Sequence, residues 1–154
     1  ETQVIEEKAG AASFDPKLIG KVDCVLIDAP CSGVGTLRRN VGLKWTSQNL
    51  EALTALQSNI LESAAQLVRP GGVLVYATCS FLHDENQCVV DLFLSKNKHF
   101  MRSQNWISSS DSGLARIRGV DAVLAKQIQS RGELVLRPDL HDTDGFYAQS
   151  LERI

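Results

Sequence analysis

Two cysteines follow predicted strands at matching positions in this chain, and a carboxylate lies close to the first of them. Cys31 comes after the apolar run 22–28, and Cys79 comes after the apolar run 73–78. One predicted helix separates the runs, so we expect neighbouring parallel strands whose carboxyl ends meet at one edge of a sheet. That edge would bring two thiols and the carboxylate of Asp28 into one crevice, an arrangement that suits thiol chemistry and that packing does not require.

Each cysteine also has a simpler interpretation, because a cysteine beside an apolar strand is commonly a small buried hydrophobe. We adopt that interpretation for Cys24, inside the first strand, and for Cys88, on the apolar stripe of the second predicted helix. For Cys31 or Cys79 taken singly, the two interpretations are evenly balanced. Both follow strand ends beside proline, serine or threonine, however, and their matching positions favour a functional site.

The elements that would position these residues follow from hydrophobic periodicity. The strand 22–28 is almost continuously apolar, which is typical of a strand covered on both faces. A helix is predicted to begin at Thr46 or Ser47, where a hydroxyl can cap it, and to end at the Arg-Pro-Gly-Gly run 69–72. Its apolar positions recur every three or four residues and form one stripe for the sheet: Leu50, Leu53, Leu56, Ile60, Ala64 and Leu67.

The rest of the chain extends the same order of elements. Strand 73–78 is followed by a helix predicted over 84–95, and strand–helix–strand–helix predicts an α/β fold with a parallel sheet and a right-handed crossover. The runs 133–137 and 146–151 predict an antiparallel hairpin on the edge of that sheet. Two less regular segments complete the prediction. Residues 2–5 are predicted to form a short strand, and residues 120–129 are predicted to form a helix.

Composition excludes several classes of function. The chain has 154 residues, enough for one domain with a substantial core, and a net charge of −2. A protein that binds nucleic acid through a wide basic face would be more positive, so any RNA contact must be local or be supplied by residues outside this chain. No apolar run approaches the roughly 20 residues of a membrane span, so no membrane partner is expected.

The four cysteines lack CxxC spacing, which predicts no metal site. They are also too few for a disulfide scaffold, which predicts an intracellular setting.

Two short motifs surround the strand-end cysteines, Asp-Ala-Pro-Cys-Ser-Gly at 28–33 and Tyr-Ala-Thr-Cys-Ser at 76–80. Together they resemble the paired signature of the RNA (cytosine-5)-methyltransferases of the NOL1/NOP2/Sun class, especially the bacterial type that modifies 16S ribosomal RNA. The likeness covers most of residues 21–154 and continues through shorter stretches: Arg38-Arg39, Lys44-Trp45, 57–61, 70–72, Glu85-Asn86 and 144–148. It implies the Rossmann-like sheet of the S-adenosylmethionine-dependent methyltransferases. This chain would be the carboxyl-terminal part of such an enzyme.

The resemblance implies a covalent mechanism. Carbon 5 of cytosine is too weakly nucleophilic to take a methyl group unaided, whereas a thiolate adding to carbon 6 converts the ring into a reactive enamine. Cys79 would be this nucleophile, and Cys31 would help to resolve the adduct and release the product. Asp28 would contact the base edge as positive charge develops at N3 or N4. The base must be unpaired or flipped out to reach the crevice.

The resemblance also implies where the partners bind. Asp28 and Pro30 would contact the cofactor, S-adenosyl-L-methionine. Arg38, Arg39 and Lys44 match a stretch that could hold the phosphates of an RNA substrate, either rRNA or tRNA, although solvated loop charge is an equally simple interpretation of each.

The same family places its cofactor loop, and an acidic residue for the cofactor ribose, upstream of the position of Asp28. Both are missing from this chain. We therefore expect residues 1–154 to be one methyltransferase catalytic domain that is incomplete at its amino end.

Three other features have simpler interpretations than catalysis. Trp45 and Phe146 are expected to anchor the core or a helix start rather than to stack on bases. The glycines of 33–35 lack the spacing of a phosphate loop. The run 83–85, His-Asp-Glu, is expected to cap a helix rather than to form a hydrolase triad.

Two alternatives to the methyltransferase remain open at this point. The chain could be a noncatalytic fragment that retains only folding or RNA contact, since it lacks the cofactor loop. It could also be a thiol redox protein that uses Cys31 and Cys79, in which case it would form a reversible disulfide.

Overall fold

Five strands of the described residues form one sheet. The structure, a computed structural model, describes residues 14–103, 128 and 130–154. The predicted strand at 2–5 lies outside the described residues, and so does most of the predicted helix near 120–129. None of the helices within the described ranges has the length and apolar character needed to cross a membrane.

The order of the elements confirms the α/β class. They are β1 (Val22–Asp28), α1 (Leu50–Ala65), β2 (Val68–Thr78), α2 (Gln87–Lys96), β3 (Phe100–Arg102), β4 (Glu133–Leu136), α3 (Pro138–His141) and β5 (Phe146–Arg153). The strands pair in the order β1-β2-β5-β3, and β4 also pairs with β5. β1 and β2 are parallel, whereas β5 is antiparallel to its neighbours, so the sheet is mixed.

β1 and β2 are adjacent parallel strands, as predicted. Asp28 is opposite Ala77 in the register, and the pairing continues beyond β1, where the Ala29 N–H donates to the Ala77 carbonyl at 2.9 Å. α1 makes the crossover between the two strands. Their carboxyl ends therefore meet, and the loops that carry Cys31 and Cys79 leave the sheet side by side.

The predicted start of α1 is wrong. Residues Val41–Trp45 form a 3-10 helix whose C-cap is Thr46, and α1 begins only at Leu50, so neither Thr46 nor Ser47 caps it. Asn49 caps the helix instead, and its side-chain oxygen accepts a hydrogen bond from the Ala52 N–H at 3.0 Å. A short polar side chain at this position satisfies one of the free N–H groups of the first helical turn.

The predicted end of α1 is also late. The helix ends at Ala65, and the Arg-Pro-Gly-Gly run 69–72 lies inside β2 rather than after a helix. The register between β1 and β2 shifts at this run, and Gly71 has a φ of 73°. A bulge of this kind tolerates proline and left-handed glycine, which a regular strand does not.

α1 is rotated relative to the predicted apolar stripe. Its fully buried side chains are Gln57, Leu61, Ala64 and Ala65. The leucines of the first half of the predicted stripe, Leu50, Leu53 and Leu56, are only partly buried. Periodicity missed the face because a glutamine lies at its centre, and a hydrophobicity pattern assigns glutamine to solvent.

β5 lies inside the sheet, so the predicted hairpin is correct in its β4–β5 pairing but not in its position at the edge. β5 pairs with β2 on one side and with β3 and β4 on the other. Its residues 147–151 are all buried. The polar side chain of Gln149 is buried there because its amide donates to the carbonyls of Arg131 and Gly132 at 3.0 and 2.9 Å. No element was predicted for the residues of β3.

One hydrophobic core lies between the sheet and the helices α1 and α2, and it includes Leu61, Leu74, Tyr76, Val90, Phe93, Tyr147 and Leu151. Ile27 of β1 faces this core, but Leu26, on the opposite face, is 69% exposed. Among the described residues, β1 is therefore covered on one face, not on both as predicted. Cys24 shares the open face by strand alternation and is exposed rather than buried.

Candidate active site

The structure brings the two strand-end cysteines into contact. Cys31 and Cys79 are both half-buried, and their Sγ atoms are 3.3 Å apart. This distance lets one thiol donate a hydrogen bond to the other sulfur. The predicted convergence of the two thiols at the sheet edge is thus present in the fold.

The two thiols have different environments. Burial, reinforced by the hydrogen bond with Cys79, raises the pKa of Cys31 to about 12. Cys31 is therefore a protonated thiol at neutral pH and can donate to the sulfur of Cys79. Only the thiolate form of a cysteine is strongly nucleophilic, so the environment of Cys31 disfavours it as the attacking group.

A buried glutamate organises the loop that carries Cys31. Glu85 is fully buried, and its carboxylate accepts hydrogen bonds from the N–H and the hydroxyl of Ser32, at 2.7 and 2.6 Å. It also accepts from the side-chain amide of Gln57 at 3.1 Å, and the same amide donates to the Pro30 carbonyl at 2.9 Å. The sequence marked Glu85 only as part of a likeness and as a capping residue, and its contacts across the chain could not be read from spacing.

The adjacent Asn86 organises the loop that carries Cys79. Its side-chain oxygen accepts from the Thr78 hydroxyl at 2.6 Å, and its amide donates to the Ser80 carbonyl at 3.0 Å. Just before it, the Glu85 carbonyl accepts from the Tyr76 hydroxyl at 2.7 Å. Burial, and then the nearby charge of Glu85, raise the pKa of Tyr76 well above its usual range, so this phenol stays a donor.

Two glycines bring a third segment against the cysteine loops. The Gly35 N–H donates to the Cys79 carbonyl at 3.0 Å, and the Gly145 N–H donates to the Gly35 carbonyl at 2.8 Å. A Cβ added at Gly35 would lie 2.1 Å from the Gly145 carbonyl oxygen. Gly35 is therefore needed for close approach of three backbones, a role that the sequence did not indicate.

Asp28 and Pro30 are exposed at the end of β1. Asp28 shares a face of the sheet with Ala77, opposite to Ile27 and the helices, by strand alternation. Its carboxylate makes no hydrogen bond to another described residue. It is thus free to contact a ligand at the edge where the two thiols meet.

The family model described as 16S rRNA methyltransferase RsmB/F matches residues 2–152 of the chain. This chain belongs to the RsmB/F methyltransferase family. Ribosomal RNA small subunit methyltransferase F of Aeromonas salmonicida (strain A449) is 40% identical over 151 residues, which are 94% of this chain and 29% of that protein.

Two solved structures agree with this family assignment. The crystal structure of PH0851 matches with a TM-score of 0.69 and 32% identity, covering 88% of this chain and 27% of that chain. The structure of NSun6 from Pyrococcus horikoshii with SFG matches with a TM-score of 0.58 and 26% identity, covering 83% and 29% respectively. They confirm the predicted Rossmann-like methyltransferase sheet, and the chain spans less than a third of the length of each of these three relatives.

In this RsmB/F chain, the basic residues after Cys31 are not a free cluster. Arg38 pairs with Asp142 at 3.0 Å and Arg39 pairs with Asp144 at 2.5 Å, all near the surface. Lys44 is exposed and makes no ion pair within the described part of the chain. Surface pairs contribute only about 0–1 kcal/mol, so both arginines can exchange their partners for phosphates.

The two aromatic residues expected to be anchors differ. Trp45 is 87% exposed, so its assignment to the core or to a helix start is wrong. It ends the 3-10 helix that precedes α1, and no described element covers it. Phe146, at the start of β5, is partly buried, in keeping with an anchor.

A second group of polar side chains lies at the surface of the RsmB/F chain. Cys88 is exposed, not buried in the helix stripe, and its Sγ is 3.1 Å from His83 Nδ1 and 3.9 Å from Asp84 Oδ1. Slight burial and the charges of Asp84 and Asp91 raise the pKa of Cys88. These three potential ligand atoms lie within 4.8 Å of one another, so the absence of a metal site stays a prediction.

Proposed function

We propose that residues 1–154 form part of one catalytic domain that methylates carbon 5 of a cytosine in ribosomal RNA inside the cell. The observation that carries the proposal is the contact of Cys31 and Cys79 at 3.3 Å, at the ends of two adjacent parallel strands. The family to which the chain belongs, described as 16S rRNA methyltransferase RsmB/F, supports RNA as the substrate.

In the proposed reaction, the Cys79 thiolate adds to carbon 6 of the cytosine, and a carbon–sulfur bond forms. From carbon 5, the enamine would then attack the methyl group of the donor, so that a carbon–carbon bond forms while the bond between the methyl group and the donor's sulfonium sulfur breaks and its electron pair stays with the demethylated donor. Loss of the proton from carbon 5 to solvent lets the carbon–sulfur bond to Cys79 break, and its electron pair returns to the Cys79 sulfur. Cys79 is thereby regenerated and the methylated base leaves.

The roles of the two thiols differ because their environments differ. Cys31 is held as a thiol by its raised pKa of about 12, which disfavours it as the attacking group. It lies within hydrogen-bonding distance of the sulfur from which the product must be released.

Asp28 and Pro30 are the described residues proposed to contact the methyl donor. Both are exposed at the carboxyl end of β1, and the Asp28 carboxylate has no partner among the described residues, so the position fits a ligand. A structural relative was solved with SFG, an analogue of S-adenosylmethionine, which supports this cofactor. When bound, S-adenosylmethionine would supply the methyl group, while Asp28 would also hold the edge of the base.

The proposal is tested in the full-length protein with three single substitutions. Cys79→Ala is expected to abolish both methyl transfer and the covalent protein–RNA adduct, while Cys31→Ala is expected to trap the adduct and slow turnover. Cys88→Ser, at an exposed cysteine outside the site, is the matched control and should behave as the unaltered protein. The readouts are methyl incorporation and a shifted band on a denaturing gel. An adduct that survives the loss of Cys79 would overturn the assignment.

One observation favours a second candidate, a thiol redox protein. The two sulfur atoms are close enough for oxidation to a disulfide without a large rearrangement of the loops. This candidate predicts a reversible disulfide with a defined potential and no methyl transfer. Mass spectrometry across a series of glutathione redox buffers measures that potential, and methyl transfer by the full-length protein would exclude redox chemistry as its primary activity.

A further inference from the structure

We infer that the adjacent residues Glu85 and Asn86 are positioning residues that set the two thiols separately, Glu85 acting on Cys31 and Asn86 acting on Cys79. The geometric part of this inference stands on hydrogen bonds alone. Its catalytic part rests on the function proposed above. Neither side chain makes a hydrogen bond to the sulfur of Cys31 or Cys79, and both bind the residues on either side of a cysteine.

Cys31 is held through both of its neighbours. Ser32, on one side, donates two hydrogen bonds to the Glu85 carboxylate, from its N–H and from its hydroxyl. Pro30, on the other side, accepts from the Gln57 amide, which itself donates to Glu85. The carboxylate thus fixes the backbone before and after Cys31, directly on one side and through Gln57 on the other.

Cys79 is held in the same way by the next residue. Thr78, before the cysteine, donates from its hydroxyl to the Asn86 side-chain oxygen. Ser80, after the cysteine, accepts at its carbonyl from the Asn86 amide. Asn86 is almost completely buried, so water does not readily replace these partners.

Both positioning residues lie at one point of the backbone. Glu85 is the last residue of the 3-10 helix His83–Glu85, and Asn86 joins that helix to α2. The hydrogen bond from the Tyr76 hydroxyl to the Glu85 carbonyl ties this point to β2. The separation of the two sulfurs is therefore set by one dipeptide that is anchored to the central sheet. A displacement of about 1 Å at reacting atoms can cost about a hundredfold in rate, so such control matters for chemistry.

Substitutions that keep the size of each side chain test the inference in the full-length protein. Glu85→Gln removes the negative charge that accepts from Ser32 and Gln57, and it places an amide donor against the Ser32 hydroxyl in place of an acceptor oxygen. Asn86→Asp keeps the bond from Thr78 but places an acceptor against the Ser80 carbonyl. Asp84→Asn, an exposed acid-to-amide change one residue away from Glu85, is the matched control.

The first readout does not depend on methylation. Diamide is added and takes two electrons and two protons from the two thiols, and disulfide formation between Cys31 and Cys79 is followed by mass spectrometry. Glu85→Gln and Asn86→Asp are each expected to slow this reaction at least about tenfold, whereas Asp84→Asn leaves its rate unchanged. Rates equal to that of the unaltered protein in both variants would overturn the inference.

The second readout separates the two residues. Glu85→Gln is expected to let the covalent RNA adduct form but to slow its release, so adduct accumulates, whereas Asn86→Asp is expected to lower adduct formation itself. Equal effects of both variants on formation would overturn the separate assignments. If the unaltered protein forms no adduct while the diamide result holds, the proposed function fails and the geometric inference stands.

Milder substitutions keep the test decisive if a buried variant does not fold. Ser32→Ala removes one of the two donors from that residue to Glu85, and Thr78→Val removes the donor to Asn86 at nearly constant volume. Each is expected to reproduce the effect of the corresponding positioning variant in weaker form, on diamide oxidation and on the adduct. No change in either measurement, in variants that unfold at the temperature of the unaltered protein, would contradict the inference.

Discussion

At the scale of single residues, the two cysteines of the site are in contact, with their sulfur atoms 3.3 Å apart. Burial and this contact raise the pKa of Cys31 to about 12, so Cys31 stays protonated near neutral pH. A protonated Cys31 can donate a hydrogen bond to the sulfur of Cys79. This supports the proposed role of Cys31 as the residue that assists release.

The raised pKa of Cys31 predicts how this residue reacts with iodoacetamide. Because only the thiolate reacts and the pKa of Cys31 is raised from 9.0 to about 12, its alkylation should be negligible at pH 7–8 and rise steeply only above about pH 10. Cys79→Ala removes the hydrogen bond that raises this pKa and should shift the rise to lower pH. Peptide mapping by mass spectrometry follows each cysteine, with exposed Cys24 as the internal control. Rapid alkylation of Cys31 at pH 7 would contradict the assigned acidity.

At the scale of elements, the site depends on the close approach of three loops. The loops after β1, after β2 and before β5 meet where Gly35 touches the backbone of Gly145 and of Cys79. The last of these loops would be hard to assign to the site from sequence, since it lies more than a hundred residues beyond Gly35. At Gly35, this loop contributes the backbone of Gly145 rather than a side chain.

This contact predicts a large difference between two glycine-to-alanine substitutions. Gly35→Ala places a Cβ 2.1 Å from the Gly145 oxygen and should lower the free energy of unfolding by about 3 kcal/mol or more. Gly42→Ala meets no atom within 4 Å and should change it by less than about 0.5 kcal/mol. Urea unfolding of both variants measures the difference. Equal stabilities would mean that the three loops do not meet as described.

At the scale of the whole molecule, two ion pairs connect the loop after Cys31 to the loop before β5. Arg38 and Arg39 pair with Asp142 and Asp144, and the chain as a whole carries a net charge of −2. Any attraction for RNA from this part of the protein is therefore local, and it competes with these pairs. Exchange of an aspartate for a phosphate costs little at such exposed positions.

We predict that the arginines change the salt dependence of RNA binding by the full-length protein. Arg39→Ala should weaken RNA affinity and lower the slope of log affinity against log salt by about one, because one phosphate contact is lost. Asp144→Asn, which frees Arg39 from its partner, should leave the slope unchanged and strengthen binding slightly. Filter binding at several salt concentrations gives both slopes. If Arg39→Ala leaves the slope of log affinity against log salt unchanged, Arg39 contacts no phosphate, and its pair with Asp144 only joins the loop after Cys31 to the loop before β5.

Three features could be predicted from sequence alone: the parallel β1–β2 unit, the edge at which Cys31 and Cys79 meet, and the family of the chain. These features are local: apolar runs, breaks at proline and glycine, and short motifs around each cysteine. The same patterns missed the 3-10 helix before α1, the buried face centred on Gln57 and the interior position of β5. In the last two cases a polar side chain, Gln57 or Gln149, is buried because its hydrogen-bond partner is distant in sequence.

The hydrogen bonds that hold the two cysteine loops together join residues far apart in sequence, and they are visible only in the fold. Glu85 lies more than fifty residues from Ser32, and its carboxylate is buried because that partner and Gln57 saturate it with hydrogen bonds. Hydropathy assigns such a residue to solvent, since it measures the cost of burial without the compensating donors. Residue spacing therefore identified the two thiols, whereas the 3.3 Å between them is set by long-range hydrogen bonds that form only in the fold.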